Sequence, residues 1–281
     1  MTPPRRFSLR HAVLRTDPPD AAACLALASG LSKGAVKDAM AKGAVQVPRG
    51  GKGAHRLRRV KAAVRPGDVL ELHYDTDLLA LVPPEPRLVR DATRWSAWVK
   101  PAGLLSQGTP FGDHASLLRQ AELRLDRPAF LVHRLDREAE GVMLVAHDAP
   151  TAAALSKLFH ENRVEKRYRA EVLGDVAAVH GREGTIETPL DGKSAVTRWR
   201  VVSYDQEADA TTLDVTIETG RQHQIRRHLE SIGHPVLGDP RYGSGNKNRE
   251  GLRLAAVFLA FDDPGTGERV ELPAAEPVPC T

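Results

Sequence analysis

Apolar residues beyond Arg94 fall mostly in short runs or alternate with polar ones, which is the pattern of strands. These strands are predicted at 129–132, 141–146, 195–203, 211–219, 252–261 and 268–272. Apolar residues recur one helical turn apart only at 149–161 and 222–232, which predicts two helices. Because strands outnumber helices and rarely alternate with them, the pattern predicts an α+β fold with a mainly antiparallel sheet.

The first part of the chain has a different pattern. One short helix is predicted from Asp20 to Gly30 and a second from Ser32 to Gly43, each with a capping residue before it and a glycine after it. Short strands should follow at 45–47, 56–60 and 68–74. The proline-rich stretch 76–94 has no clear periodicity. The chain is therefore predicted to hold a small α/β module at 1–75, a linker at 76–94 and a larger domain at 95–281.

Positive charge is concentrated in the small module. The formal net charge is only +4, but residues 32–67 hold ten basic residues against one acid, Asp38. Lys33 and Lys37 stand one turn apart on a predicted helix and would form a basic stripe. The basic residues of this stretch are Lys33, Lys37, Lys42, Arg49, Lys52, Arg56, Arg58, Arg59, Lys61 and Arg65. Such a surface suits contact with phosphates, although a solvated basic surface without a ligand is the alternative.

Several classes of protein do not fit the composition. No apolar run approaches the roughly 20 residues that span a bilayer. With only Cys24 and Cys280, the chain lacks a disulfide framework and a thiolate zinc site. The first residues are basic without an apolar core, so no secretory signal is predicted and a cytoplasmic location is expected. No P-loop pattern occurs, which argues against a nucleotide cofactor.

Two motifs carry candidate chemistry. A charged loop, HRLDREAEG, stands between two predicted buried strands, and the segment ETGRQHQIRRHLESIGHPVLGDPRYG occupies residues 218–243. The first resembles the HRLD-x-x-x-x-G signature of the RluA-type pseudouridine synthases. The second is similar to their Gly-Arg-x-His-Gln-Ile-Arg block and the segment after it. Ala139 and Glu140 stand where many members have Thr-Ser, so the loop loses two hydroxyl groups there.

The resemblance implies an enzyme that isomerises uridine in RNA without a metal or other cofactor. Asp136 would be the nucleophilic carboxylate, and Arg226 would be its partner, since an adjacent guanidinium favours the ionised form. Arg221 is the alternative partner. Tyr168 matches the family tyrosine and would stack on the target uracil.

Further residues are predicted to contact RNA. Arg134 would fill the gap that the flipped uridine leaves, while His133 would mainly orient the loop. The N-terminal module resembles the αL RNA-binding module of a ribosomal protein and many RNA-modifying enzymes. That likeness assigns RNA contacts to Lys33, Lys37, Arg56, Arg58 and Arg59. In the larger domain, the residues predicted to contact RNA are Arg134, His133 and Arg221.

The expected partner is structured RNA, with ribosomal RNA preferred over transfer RNA, and the protein is expected to be a monomer. A catalytically inactive RNA-binding factor, for example one that assists ribosome assembly, remains the alternative function. A zinc deaminase is disfavoured because no P-C-x-x-C segment occurs.

Overall fold

The computed structural model describes residues 5–48, 54–244, 246, 248 and 250–274. Arg49 and Lys52 of the basic stretch, and the cysteine Cys280, lie outside these ranges. The chain divides into two compact units. One contains the residues up to Pro83 together with Gln107–Gln120, and the other contains Pro84–Ser106 and the chain from Ala121 onward.

The first unit is a four-stranded antiparallel sheet with short helices. Its elements are β1 (Arg6–Ala12), α1 (Ala21–Ser29), α2 (Lys33–Ala41), β2 (Val45–Pro48), β3 (Ala54–Arg56), β4 (Val69–Asp75) and α3 (Thr76–Ala80). The strands are ordered β1-β4-β2-β3. Asp20 and Ser32 each accept a hydrogen bond from a backbone N–H of the helix that follows, as predicted for N-caps. Leu25, Val36 and Met40 are fully buried in its core.

The second unit is built on a large sheet. The remaining elements of the chain are β5 (Arg87–Asp91), β6 (Trp95–Lys100), α4 (Leu117–Leu125), β7 (Phe130–Leu131), β8 (Glu140–Ala146), α5 (Ala149–His160), β9 (Glu165–Leu173), α6 (Val176–His180), β10 (Glu183–Ile186), β11 (Thr197–Asp205), β12 (Ala210–Ile217), α7 (Gln224–Ser231), β13 (Leu254–Asp262) and β14 (Arg269–Pro273). The strand order is β10-β11-β12-β9-β13-β8-β6-β5, with β14 beside β13 and β7 beside β8. The β8–β13 pair is parallel, and the other pairs among the described strands are antiparallel. The predicted α+β class is confirmed.

The two units of the structure do not follow the predicted module, linker and domain boundaries. Residues 76–94 contain helix α3, whose Leu79 is buried in the core of the first unit, and strand β5, which pairs with β6. Residues 107–120 group with the first unit, although the sequence pattern assigned them to the larger domain. Short elements with one buried residue or one paired edge leave no periodic signal, so local pattern alone missed them.

Two separate apolar clusters support the large sheet. One surrounds Trp95, Leu144, Leu155 and Phe261, and the other contains Ala139, Trp199, Leu213 and the inner face of α7. Among the described residues, no helix combines the length and apolar character needed to span a membrane. The second cluster packs against α7 and the start of β8, so it fixes the two elements that carry the predicted site.

Candidate active site

The loop carrying Asp136 is fixed through its own backbone. The Ser106 hydroxyl donates to the carbonyl of Leu135 at 2.7 Å and accepts from the Leu135 N–H at 3.0 Å. The buried ammonium of Lys100 donates to the carbonyl of Arg137 at 3.3 Å. Asp136 therefore stands between two anchored neighbours, as a preorganised reactive group requires.

His133 supports the same loop from within the protein. Its Nε2 accepts the Leu144 N–H at 2.9 Å, and its ring stacks on Phe159 with centroids 4.2 Å apart. Burial lowers the pKa of His133 to about 3, with nearby Lys166 adding to the effect, so the ring is neutral at pH 7. A neutral ring that is bonded to the backbone and stacked on Phe159 fits the predicted role of His133 in orienting the loop, and its contact with RNA stays a prediction.

Gly141, the last residue of the first motif, explains why the motif requires glycine. Its φ is +119° and it lies beside β13, so a Cβ at this position would stand 2.2 Å from the carbonyl oxygen of Ala256. Only glycine permits both the backbone conformation and this close approach. Ala139, where many family members have a hydroxyl, is instead buried in the second apolar cluster.

The second motif folds into the turn that begins α7. Helix α7 starts at Gln224 rather than at the predicted Gln222, because His223 takes a left-handed conformation with φ +52°. The buried Gln224 amide donates to the carbonyl of Val196 at 2.9 Å, and its oxygen accepts from the Thr219 hydroxyl at 2.7 Å and the Arg221 N–H at 3.0 Å. This side chain fastens the turn to the start of β11.

Arg226 lies between two carboxylates. Its side chain is 2% exposed, and it binds the fully buried Asp239 through Nε and Nη2, each at 2.7 Å. Nη1 donates to Oδ2 of Asp136 at 2.9 Å. Burial opposes the charge of Arg226, but the bonds to Asp239 and Asp136 more than offset it and raise its pKa. Burial likewise raises the pKa of Asp239, and the donors around it reverse this to a net lowering.

A cavity of about 360 Å³ opens over this pair, within the roughly 300–1,000 Å³ range of small-ligand sites. Asp136, Arg226 and Tyr168 all line it, so the structure brings the three predicted catalytic residues together. Burial, followed by the charge of Asp136, raises the pKa of Tyr168, which keeps its hydroxyl protonated. Arg134 and Arg221 line the same cavity. An aromatic ring, a carboxylate and several cations can hold and act on one flat base.

The predicted basic residues of the first unit fall into two groups. Lys37 and Arg59 are exposed, and Lys33 is half-exposed beside the Asp20 carboxylate at 3.3 Å. Arg56 and Arg58 instead both bind Asp113 within the same unit.

Arg56 additionally donates to the carbonyl of Thr109 at 2.8 Å. The guanidinium groups of Arg56 and Arg58 thus hold the 107–120 segment, and phosphate contact by these two residues stays a prediction. No local pattern could identify Asp113 as their partner, since it lies 55 residues beyond Arg58.

Three site residues were not singled out from the sequence. Asp239 clamps Arg226, His223 lies 3.6 Å from Asp136, and Tyr242 bonds His223 at 2.9 Å. All three fall inside the second motif, so the signal was present. Their roles depended on a turn that returns Asp239 and Tyr242 to the start of α7.

The mainly antiparallel sheet and the pairing of Asp136 with the buried Arg226 at a cavity of small-ligand size fit the class of pseudouridine-forming enzymes. Similar folds are found in two human proteins. Human RNA pseudouridylate synthase domain containing 1 gives a TM-score of 0.58 at 24% identity, covering 70% of this chain and 87% of that one. Domain containing 4 gives 0.56 at 23% identity, covering 68% and 89%.

The chain belongs to the RNA pseudouridylate synthase family, whose model matches residues 94–231. The Bacillus subtilis protein named uncharacterized RNA pseudouridine synthase YlyB is 31% identical, over 74% of this chain and 69% of its own length. The Mycoplasma pneumoniae protein named uncharacterized RNA pseudouridine synthase MG209 homolog is 32% identical over 72% of both chains. The Vibrio cholerae ribosomal large subunit pseudouridine synthase D is 36% identical over 54% of this chain and 53% of its own.

Proposed function

We propose that this protein converts one uridine of large-subunit ribosomal RNA to pseudouridine, with Asp136 as the nucleophile. The observation that carries the proposal is the Asp136–Arg226–Asp239 arrangement at the cavity that Tyr168 lines. Relatives from Zymomonas mobilis and two Vibrio species are named ribosomal large subunit pseudouridine synthases, which supports ribosomal RNA over transfer RNA.

The reaction breaks the bond between uracil N1 and C1′ of the ribose, rotates the base and joins C5 to C1′. The C5 proton is then lost and N1 gains one, so no redox step occurs. Arg226 holds Oδ2 of Asp136, which leaves Oδ1 to act on the sugar. Tyr168 would retain the detached base by stacking, and Arg134 would occupy the space that the flipped nucleotide leaves in the RNA.

The basic surface of the first unit would add affinity for the RNA backbone. Lys33, Lys37 and Arg59 present side chains that can reach phosphates. Each lost phosphate contact lowers the slope of log affinity against log salt by about 0.7–0.9. Replacing Lys33 and Lys37 with glutamine should therefore flatten that slope by about 1.5 in a filter-binding titration. An unchanged slope would contradict phosphate contact by this surface.

An RNA-binding factor without catalytic activity is the second candidate function. It would use the same basic surface and fold, and the basic residues themselves favour it. Binding alone, however, gains nothing from a carboxylate in an RNA-facing cavity, because like charge repels the phosphates. The Asp136–Arg226 pair therefore favours catalysis.

The deciding experiment is pseudouridine mapping of total RNA from cells that lack the protein, complemented with wild type or Asp136→Asn. We expect one large-subunit site to lose its pseudouridine and only wild type to restore it. A missing site in transfer RNA would change the substrate, and no missing site would favour the inactive binding factor. Ribosomal RNA as substrate also implies a cytoplasmic location, and light scattering should show a monomer.

A further inference from the structure

The two oxygens of the Asp136 carboxylate have different neighbours. Oδ2 accepts from Arg226 Nη1 at 2.9 Å, whereas Oδ1 lies 3.6 Å from Nε2 of His223. The side chain of His223 is 14% exposed and lines the same cavity as Asp136. Since Arg226 binds Oδ2, His223 is beside the other carboxylate oxygen, Oδ1.

The backbone and the second ring nitrogen of His223 are both constrained. His223 stands at the N-terminus of α7 with φ +52°, yet its side chain makes no capping bond to the helix. Instead Nδ1 lies 2.9 Å from the Tyr242 hydroxyl, and the two rings meet edge to face at 5.6 Å. A non-glycine residue in this left-handed conformation often marks a functional position. Here the conformation directs the imidazole away from the helix and toward Asp136.

We propose that His223 is a positioning residue for Asp136: its Nε2–H orients Oδ1 toward the ribose, while Nδ1 accepts a hydrogen bond from the Tyr242 hydroxyl. This inference rests on the proposed isomerisation of uridine. With Nε2 3.6 Å from Oδ1, the ring would limit rotation of the carboxylate about its hydrogen bond to Arg226 and would close to a hydrogen bond when the substrate binds. Supporting groups of this kind keep a reactive side chain within its productive geometry.

Charged groups on every side of His223 determine its protonation. Asp136 faces it from the loop before β8, Arg226 from α7, and Asp239, Arg241 and Tyr242 from the turn after α7. Burial lowers the pKa of His223, and Asp136 only partly opposes this. The ring is therefore neutral at pH 7. Acid would add a second cation beside Asp136 and weaken its carboxylate as a nucleophile, so activity should fall as the ring protonates.

Two substitutions separate the functions of the two ring nitrogens. His223→Asn tolerates the left-handed backbone and can keep a contact to Tyr242, but it is too short to reach Asp136. We expect its kcat to fall about tenfold while KM for the RNA stays within twofold. His223→Gln reaches Asp136 with a donor that does not titrate. It should recover most of the lost kcat and remove the acid limb of the pH profile.

His180→Gln is the matched control, because this exposed histidine bonds the carbonyl of Ile232 and lies outside the cavity lining. Its pH profile should match wild type. Equal kcat losses in the asparagine and glutamine variants, or an acid limb retained in His223→Gln, would overturn the positioning role. A matching loss of thermal stability in both would identify a structural role instead.

An NMR titration separates this inference from the proposed function, since it needs no turnover. The imidazole signal of His223 is assigned by its disappearance in His223→Gln. Because Asp136 stabilises the protonated ring, Asp136→Asn should lower the pKa of His223 further. An unchanged pKa would overturn the contact between them even in an active enzyme. A lowered pKa in a protein that modifies no RNA would support the contact and refute the proposed reaction.

Discussion

The substitution Asp239→Asn tests whether the clamp on Arg226 holds the site together. The Arg241 and Tyr242 N–H groups now donate to Oδ1 of Asp239. The amide oxygen of asparagine could still accept both of these hydrogen bonds. The new amide nitrogen, however, would face Nε–H of Arg226 with a second donor. The guanidinium is 2% exposed, so water cannot replace the lost bond.

Breaking one partner of a buried ion pair costs about 3–5 kcal/mol in the free energy of unfolding. Asp136 still compensates part of the charge on Arg226, so we expect a loss near the lower limit, about 3 kcal/mol. For a unit of this size that corresponds to a fall in Tm of about 6–12 °C. Urea unfolding and a thermal melt, both followed by circular dichroism, measure the two quantities.

Asp262→Asn is the matched control, because this carboxylate pairs with Arg269 at 3.7 Å with both side chains about half exposed. Exposed pairs contribute less than about 1 kcal/mol, so the control should be nearly as stable as wild type. If Asp239→Asn also loses less than about 1 kcal/mol, the buried clamp does not stabilise the fold as argued.

The same substitution changes the response to acid. The pKa of Asp239 is lowered in the folded protein, so its contribution is complete above the unfolded value near 4 and is lost as pH falls through the folded value. The Asp239→Asn variant lacks this group. Its stability should therefore decline less steeply below about pH 4 than that of wild type.

Three further substitutions test other parts of the site. Gly141→Ala forces a Cβ into the backbone of β13 and should cost at least about 2 kcal/mol in urea unfolding, and wild-type stability would contradict the close approach. Tyr168→Phe should keep kcat/KM within a few-fold of wild type, while Tyr168→Leu should lower kcat/KM roughly 10–100-fold because stacking on the base is lost. Equal losses in the two variants would show that the hydroxyl, and not the ring, is what the reaction needs. Because the pKa of folded His133 is about 3, only the unfolded chain gains a proton on this histidine between pH 6.5 and pH 5. The wild-type free energy of unfolding should therefore fall by about 2 kcal/mol over that range, and His133→Gln should remove this fall. An equal acid slope in both proteins would contradict that pKa.

The sequence by itself determined the class of fold and the chemistry of the site. Apolar residues that alternate with polar ones or form short runs predicted a mainly antiparallel α+β protein, because strand periodicity is a local property of the chain. Family resemblance selected Asp136 and Arg226 from the two motifs and Tyr168 from the separate Lys166-Arg167-Tyr168 segment, and all three line one cavity. Motif residues could be found because each is tied to a short, distinctive neighbourhood.

Only the tertiary structure decided which charges face each other. Arg56 and Arg58 both bind Asp113, which comes from a segment that the sequence pattern placed in another domain. The partner of the His133 ring, the backbone N–H of Leu144, likewise has no signal in the local pattern.

The same limit applies to the residues around Asp136. Asp239 and Tyr242 lie within one motif with Arg226 and His223, but only the turn after α7 brings them into contact. Partners in a folded protein are chosen by chain reversals and sheet register over long separations. A linear pattern carries residue types and local periodicity, so it could select Asp136 as the candidate nucleophile but not the groups that hold it.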